Sequence, residues 1–322
     1  MNLTRRTALV GLGGALIAQP GLAQAPWPSQ PLKIVVPFPP GALTDVLGRM
    51  VAERLQAALG QPVVVDNKPG AATQVGAAFV AKQPADGYTL LVATSTTLGI
   101  VPFLYAKPLI AITDFTGVAL LGNVTFYLVV RPNLPAKSLP ELVALLRSKP
   151  DGYSYASPGA GTAHHLLVEL IRDREKLQVT HIPYQGSAKA LVDLSEGRLD
   201  FMFLDASVAL PQIAAGKVVA LAVTGNRRDP AKPDIPALTE LYPGLGLQAW
   251  QSIVAPAGTP APVVERLNRE INVALTDPPF AQRLRQVGVE PLPLTVKAFD
   301  DFIRNDAGRW AALVKMSGAK AD

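Results

Sequence analysis

Short apolar segments alternate with amphipathic segments along most of this chain, and this alternation constrains the fold more than any other feature. Leu32–Val36 is an apolar run that ends at Pro37, and a loop with Gly41 leads into an amphipathic helix predicted over residues 44–59. The same order of strand, loop and helix recurs twice before residue 105. Such alternation predicts an α/β protein with a mostly parallel sheet that is covered by helices on both faces.

A second series of the same kind follows an apolar strand at 126–130. Ser138 and Glu141 have the reciprocal capping spacing that starts a helix. Further strands are predicted at 153–156, 179–183, 199–203 and 218–223, with helices beginning at Thr162 and Ser187 between them. The last long helices are predicted at 260–275 and 296–316.

The length of 322 residues exceeds the usual size of one domain, so two lobes with separate cores are expected. Polar or Pro-rich passages near 122–123 and 225–236 bracket the second series. We therefore predict a discontinuous first lobe, residues 26–123 plus 226–322, and a second lobe, residues 124–225, joined by a hinge that the chain crosses twice. Ligands of open α/β sheets bind beyond the carboxyl ends of the strands, which places the expected site between the lobes.

Residues 1–25 have the pattern of a cleavable secretion signal. Arg5-Arg6 gives a positive start, a short apolar stretch follows, and Ala-Gln-Ala at 23–25 matches the small-x-small pattern of signal peptidase sites. We predict cleavage after Ala25 and a periplasmic mature protein. The apolar stretch is much shorter than the roughly 20 residues that cross a bilayer. The arginine pair also resembles a twin-arginine signal, so the Sec and twin-arginine routes both remain open.

Charge and composition exclude several functions. Removal of the signal lowers the net charge from +5 to +3, because that segment has two arginines and no acid. This charge is too small for a nucleic-acid surface. The chain has no cysteine, which excludes disulfides and thiol chemistry. It also lacks a Gly-x-Ser-x-Gly elbow, a phosphate loop and a His-Glu-x-x-His helix, so neither a cofactor nor a metal ion is expected.

The histidines are His164, His165 and His181. Adjacent histidines point to different sides of a helix, which favours structural or hydrogen-bonding roles over metal ligation. A hydrolase site of Ser157, His165 and Asp205 is conceivable, but the spacing of these residues follows no catalytic pattern. No catalytic residue is therefore predicted, and a periplasmic hydrolase remains an alternative.

Three loops lead from a predicted strand into a helix N-terminus, at residues 37–45, 157–162 and 183–187. Free N–H groups and the positive end of the helix dipole favour an anion at such places. Each loop taken alone is also explained by capping of its own helix. Three of them facing one another across a cleft predict a receptor for a carboxylate that backbone donors hold in place of an arginine.

A set of motifs in a fixed order carries a family resemblance. The chain contains Ile34-Val35-Val36-Pro37-Phe38-Pro39-Pro40-Gly41 with Thr44-Asp45, Val65-Asp66-Asn67-Lys68-Pro69-Gly70-Ala71, Pro84-Ala85-Asp86-Gly87-Tyr88, Gly161-Thr162 with His165-Leu166, Pro183-Tyr184-Gln185-Gly186, Pro256-Ala257-Gly258-Thr259-Pro260, and Trp310 with Ser317-Gly318. Over nearly its full length the chain thus resembles the extracytoplasmic solute receptors of the tripartite tricarboxylate transporters, the Bug receptors. The resemblance implies a type II periplasmic-binding-protein fold, in which two Rossmann-like lobes close over a small organic acid.

The resemblance also implies a site, a partner and the absence of catalysis. Ligand contacts are expected at Phe38, Pro39, Thr44, Asp45, Thr94, Ser95, Ser157, Gly159, Gly161, Thr162, Gly186 and Asp205. The chain is expected to act as a monomer that delivers its ligand to the membrane subunits of a transporter. A sensor that reports the ligand to a membrane signalling protein has the same fold and remains an alternative. An aromatic acid, a dicarboxylate and an amino acid all remain possible ligands.

Two alanines depart from the motifs of these receptors. Ala42 and Ala72 stand where a glycine is usual. A methyl group at Ala42 is expected to narrow the anion pocket or to alter its backbone angles.

Overall fold

The computed structural model describes residues 27–246 and 248–319. The predicted signal, residues 1–25, and its cleavage position after Ala25 lie outside the described residues. The strands are β1 (Leu32–Val36), β2 (Val63–Asn67), β3 (Thr89–Thr94), β4 (Phe115–Val124), β5 (Phe126–Val130), β6 (Ser154–Ser157), β7 (Thr180–Pro183), β8 (Phe201–Asp205), β9 (Val219–Val223), β10 (Ala249–Pro256) and β11 (Val289–Pro291).

The α-helices are α1 (Leu43–Leu59), α2 (Gln74–Ala81), α3 (Val101–Leu104), α4 (Leu139–Ser148), α5 (Ala163–Glu175), α6 (Ser187–Ser195), α7 (Ala206–Ala214), α8 (Leu238–Leu241), α9 (Ala261–Thr276), α10 (Pro278–Gln286) and α11 (Val296–Ser317). A π-helix covers Ser95–Ile100, and a 3-10 turn covers Ile112–Asp114. Over residues 27–246 and 248–319, none of the helices combines the length and the apolar character needed to span a bilayer.

The strands form two sheets. The first sheet has the order β11-β4-β10-β3-β1-β2, and the second has the order β7-β6-β8-β5-β9. Strands β1, β2 and β3 pair in parallel, as do β6, β7 and β8, while β10 and β5 pair antiparallel with their neighbours. The α/β class is confirmed, but each sheet is mixed, because β5, β10 and β11 run against the other strands.

The chain passes between the two sheets by adjacent segments. Residues 122–123 lie inside β4, and Thr125, two residues beyond the predicted passage, is the residue between β4 and β5. The Phe126 N–H donates to Thr224 Oγ1, and the Thr224 N–H donates to the Phe126 carbonyl, each at 2.9 Å. The two crossing segments therefore run side by side. The lobe limits at 123/124 and 225/226 stay a prediction.

Strand β10 brings the returning chain into the centre of the first sheet. It lies between β3 and β4, and its residues are buried throughout, as expected for a strand covered on both faces. The indole N–H groups of Trp250 in β10 and Trp310 in α11 both donate to Asp306 Oδ2, at 2.5 and 2.6 Å. The last helix thus anchors β10 from behind. Burial raises the pKa of Asp306 above its ordinary value, although these two hydrogen bonds oppose the rise.

Candidate functional site

A small cavity lies where the starts of five helices meet. Its lining includes the first residues of α1, α5, α6 and the π-helix, together with the residue that precedes α7: Leu43, Thr44, Ser95, Ala163, His164, Ser187 and Asp205. The cavity offers about 40 Å³ to the centres of water molecules, room for roughly three waters. Because each helix start carries partial positive charge and unpaired N–H groups, the cavity favours a small anion.

The loop between β1 and α1 is shaped by the buried Asp45. Gly41 N–H and Arg49 Nε donate to Asp45 Oδ2 at 2.9 and 3.0 Å, and Asn67 Nδ2 donates to Oδ1 at 2.9 Å. Burial disfavours the charged carboxylate, but these hydrogen bonds outweigh burial and hold the pKa of Asp45 below its ordinary value. The Asp45 side chain therefore fixes the loop from behind.

Helix α1 leaves two N–H groups at the cavity. Its first hydrogen bond runs from the Asp45 N–H to the Ala42 carbonyl at 2.9 Å, so the N–H groups of Leu43 and Thr44 precede the helical ladder. Ala42 has φ −68° and ψ 159°, which any residue adopts, so its methyl group does not alter the backbone angles. That methyl group lies in the cavity wall, as the expectation of a narrower pocket requires.

The π-helix after β3 contributes a second pair of N–H groups. Thr94 caps it, since the Thr97 N–H donates to Thr94 Oγ1 at 3.3 Å, which leaves the N–H groups of Ser95 and Thr96 before the first turn. Thr96 Oγ1 in turn accepts the N–H of Ala163 at 3.1 Å. This bond ties the helix after the first sheet to α5 of the second sheet at the edge of the cavity.

The loop from β6 to α5 is held by its own hydroxyl groups. Thr162 Oγ1 donates to the Gly159 carbonyl at 2.8 Å and accepts the His165 N–H at 3.4 Å. Ser157 Oγ lies 2.9 Å from the same carbonyl and 2.7 Å from His181 Nε2. The conceivable triad of Ser157, His165 and Asp205 is therefore not formed, because Ser157 pairs with His181.

Behind this loop, aromatic and imidazole rings form a buried stack. The ring of His181 lies 4.7 Å from that of Tyr155 and 4.1 Å from that of His165, measured between ring centres. The Gly161 N–H donates to His165 Nδ1 at 3.2 Å. Burial lowers the pKa of His165 to about 3 and that of His181 to about 4, with the nearby Arg172 acting in the same direction. Both imidazoles are therefore neutral supports of the loop.

The wall of the small cavity also contains residues that the sequence did not indicate. His164 Nε2 lies 3.6 Å from Asp205 Oδ2, and the His164 ring stacks on Phe126 with 4.1 Å between ring centres. Trp250 and Gln251 of β10 complete this wall. They were missed because β10 was not predicted.

Over residues 27–246 and 248–319, no group of three or more acidic or histidine side chains is placed to hold a metal ion.

A large cavity adjoins the small one, and Phe38, Pro158 and Gly186 line both. The large cavity offers about 700 Å³ to the centres of water molecules. The predicted residues Phe38, Thr44, Thr94, Ser95, Gly186 and Asp205 line the small cavity. Pro39, Gly159 and Thr162 line the large one. The remaining three, Asp45, Ser157 and Gly161, line neither cavity. Their ligand contact stays a prediction, and their hydrogen bonds give each of them a role in shaping a loop.

Residues with strained backbones line the large cavity. Ala71, Ala72 and Thr73 have φ values of 45°, 47° and 81°, the left-handed region that favours glycine. Each such residue costs about 1–2 kcal/mol relative to ordinary backbone. The usual glycine at position 72 would carry this conformation without that cost.

We expect Ala72→Gly to raise the free energy of unfolding by about 0.5–1 kcal/mol, because relief of strain exceeds the added entropy of the unfolded chain. Urea unfolding measures the change. The matched control is Ala57→Gly on the exposed face of α1, where the same substitution should lower stability by about 1 kcal/mol. Equal losses at both positions would contradict the strain at Ala72.

Comparison with known proteins agrees with this geometry. Residues 47–319 match the family model described as the tripartite tricarboxylate transporter family receptor. Protein BugT of Bordetella pertussis is 36% identical over 328 residues, which cover 99% of this chain and 99% of BugT.

Two solved structures are similar over most of the chain. One is R. palustris Rpa4515 with adipate, which is 33% identical with a TM-score of 0.86 over 91% of this chain and 99% of its own. The other is MatC of Rhodopseudomonas palustris with bound malate, 32% identical with a TM-score of 0.84 over 89% of this chain and 100% of its own. The two-lobe fold expected from the resemblance is thereby confirmed, and the chain belongs to the family of tripartite tricarboxylate transporter receptors.

Proposed function

We propose that this chain is a periplasmic receptor that binds a small organic carboxylate in the small cavity and delivers it to the membrane subunits of a tripartite transporter. The observation that carries the proposal is the convergence of five helix starts on one small cavity. The adipate and malate bound to two similar receptors support a carboxylate as the ligand.

The carboxylate would accept hydrogen bonds from N–H groups at the starts of α1 and the π-helix, those of Leu43, Thr44, Ser95 and Thr96. The hydroxyl groups of Thr44, Ser95 and Ser187 lie on residues of the same lining. Gly159, Thr162 and Pro39 would cover the ligand from the large cavity. Binding energy from both lobes would stabilise the closed form, because a ligand shifts an equilibrium only by its preference for one state.

The proposal includes export and assembly. The segment 1–25 directs the chain to the periplasm and is removed after Ala25, and the mature protein acts as a monomer without catalysing a reaction. Its two lobes, residues 26–123 plus 226–322 and residues 124–225, close around the ligand by the paired crossings at Thr125 and Thr224.

Calorimetry with matched acids and amides tests the carboxylate requirement. The mature protein should bind free acids of three or four carbons, while the corresponding primary amides should bind at least about tenfold more weakly, since they lack the charge that the helix starts stabilise. Equal affinity for an acid and its amide would overturn the proposal.

A further inference from the structure

Two buried side chains in the lining of the small cavity have polar atoms without partners. His164 and Gln251 are 8% and 7% exposed, and neither His164 Nε2 nor Gln251 Oε1 has a hydrogen-bond partner among the described residues. Buried polar atoms in folded proteins are nearly always paired. A wall that holds two such atoms beside a cavity is therefore suited to a polar group of a ligand.

Asp205 adds a carboxylate to the same wall. It precedes α7, yet its side chain makes no capping hydrogen bond to that helix, and its Oδ2 lies 3.6 Å from His164 Nε2. The Asp205 side chain is 13% exposed. A carboxylate so placed accepts hydrogen bonds and donates none.

The framework of the two sheets fixes the positions of these side chains. Asp205 pairs with Phe126 across β8 and β5, and the Phe126 ring in turn holds the plane of His164 by stacking. Gln251 lies opposite Thr94, where the pairing of β10 with β4 shifts register directly after Gln251. Such irregularities re-aim a side chain.

The charges of the cavity restrict what it accepts. Among the described residues of its lining, Asp205 is the only acid, and neither lysine nor arginine is present. The helix starts compensate one carboxylate of a ligand. A second carboxylate would meet Asp205 in a space with little water, where like charges repel strongly.

We infer that Asp205, Gln251 and His164 select acids whose second polar group donates hydrogen bonds, a hydroxyl or an ammonium group, over unsubstituted acids and dicarboxylates. This inference rests on the proposed function. His164 Nε2 serves either kind of group, because an imidazole nitrogen donates or accepts according to its tautomer. The room for roughly three waters suits acids of three or four carbons.

Calorimetry on the mature protein tests the selection with sets of equal carbon number. The donor-bearing acids are lactate, 3-hydroxypropanoate, alanine, β-alanine, 3-hydroxybutanoate and 4-aminobutanoate. The comparison acids are propanoate, butanoate, malonate and succinate. At least one donor-bearing acid should bind about tenfold or more tightly than both the unsubstituted acid and the dicarboxylate of its length. Hydroxy acids and amino acids form separate arms, which distinguish the two kinds of donor.

The variant Asp205→Asn keeps the shape of the side chain and removes its charge. It should reduce the affinity of the best donor-bearing acid, relative to the affinities of propanoate and butanoate, about 10- to 100-fold, since hydrogen bonds to a charged group are the strong ones. The matched control is Asp173→Asn, which removes an exposed carboxylate paired with Lys176 and should change neither affinity. Gln251→Met, which removes the unpaired amide, gives a second variant should Asp205→Asn fold poorly.

The outcomes separate this inference from the proposed function. Tight binding of malonate or succinate with no preference for donor-bearing acids would overturn the inference and leave the carboxylate receptor standing. A preference that survives both Asp205→Asn and Gln251→Met would also overturn it. Failure of every acid to bind would overturn the proposed function and the inference together.

Discussion

Ser187→Phe is expected to weaken carboxylate binding by more than about 100-fold, a loss of about 2.7 kcal/mol. Ser187 is the first residue of α6 and lies in the wall of the small cavity. A side chain on a helix leans toward the N-terminus, so the benzyl group would point into the cavity. A space that holds roughly three waters cannot hold this ring and a ligand together.

Helix α6 also provides the control variant for Ser187→Phe. Ser195 ends α6, away from the cavity lining, so Ser195→Phe makes the same substitution without filling the cavity. Ala42→Phe is a second blocking variant, which places a benzyl group in the cavity at the start of α1. Calorimetry with the best-bound acid should show a loss of affinity in Ser187→Phe and Ala42→Phe and no loss in Ser195→Phe. Wild-type affinity in both Ser187→Phe and Ala42→Phe would mean that the ligand binds outside the small cavity.

The sequence predicts the elements that carry the anion site because their signals are local. The apolar run Leu32–Val36 and its following helix were predicted within one residue, and Thr162 precedes α5 as the capping pattern requires. Glycine and proline mark the loops between them. A carboxylate held by backbone groups can therefore be anticipated from the order of strand, loop and helix alone.

The wall of His164, Asp205 and Gln251 depends on long-range pairing, which the sequence does not show. Strand β10 has an uneven pattern with Gln251 and Ser252 at its centre, and its place between β3 and β4 follows only from the returning chain. His164 and His165 are neighbours in sequence, yet one borders the cavity and the other supports the loop from behind. Helical spacing predicts that the two side chains point in different directions, but it does not predict which of them faces a ligand.

The unliganded protein should lose about 4 kcal/mol of its free energy of unfolding between pH 7 and pH 5 through His165 and His181. In the unfolded chain a histidine takes up a proton near pH 6.5, whereas in the fold burial lowers the pKa values to about 3 and about 4. Since the unfolded state binds more protons, stability is complete above pH 6.5 and falls as the pH drops below it. Each histidine contributes a slope of about 1.4 kcal/mol per pH unit until its folded pKa is reached.

The variant His181→Asn isolates this contribution. Urea unfolding at pH 7 and pH 5 should show a loss of about 2 kcal/mol in the variant, half that of the wild type, because one of the two buried imidazoles is gone. Buried acids with raised pKa values, such as Asp306, titrate in both proteins and cancel in the comparison. An unchanged pH dependence in His181→Asn would mean that the imidazole beside Ser157 takes up its proton near pH 6.5 in the fold, as it does in the unfolded chain, and that burial does not lower its pKa.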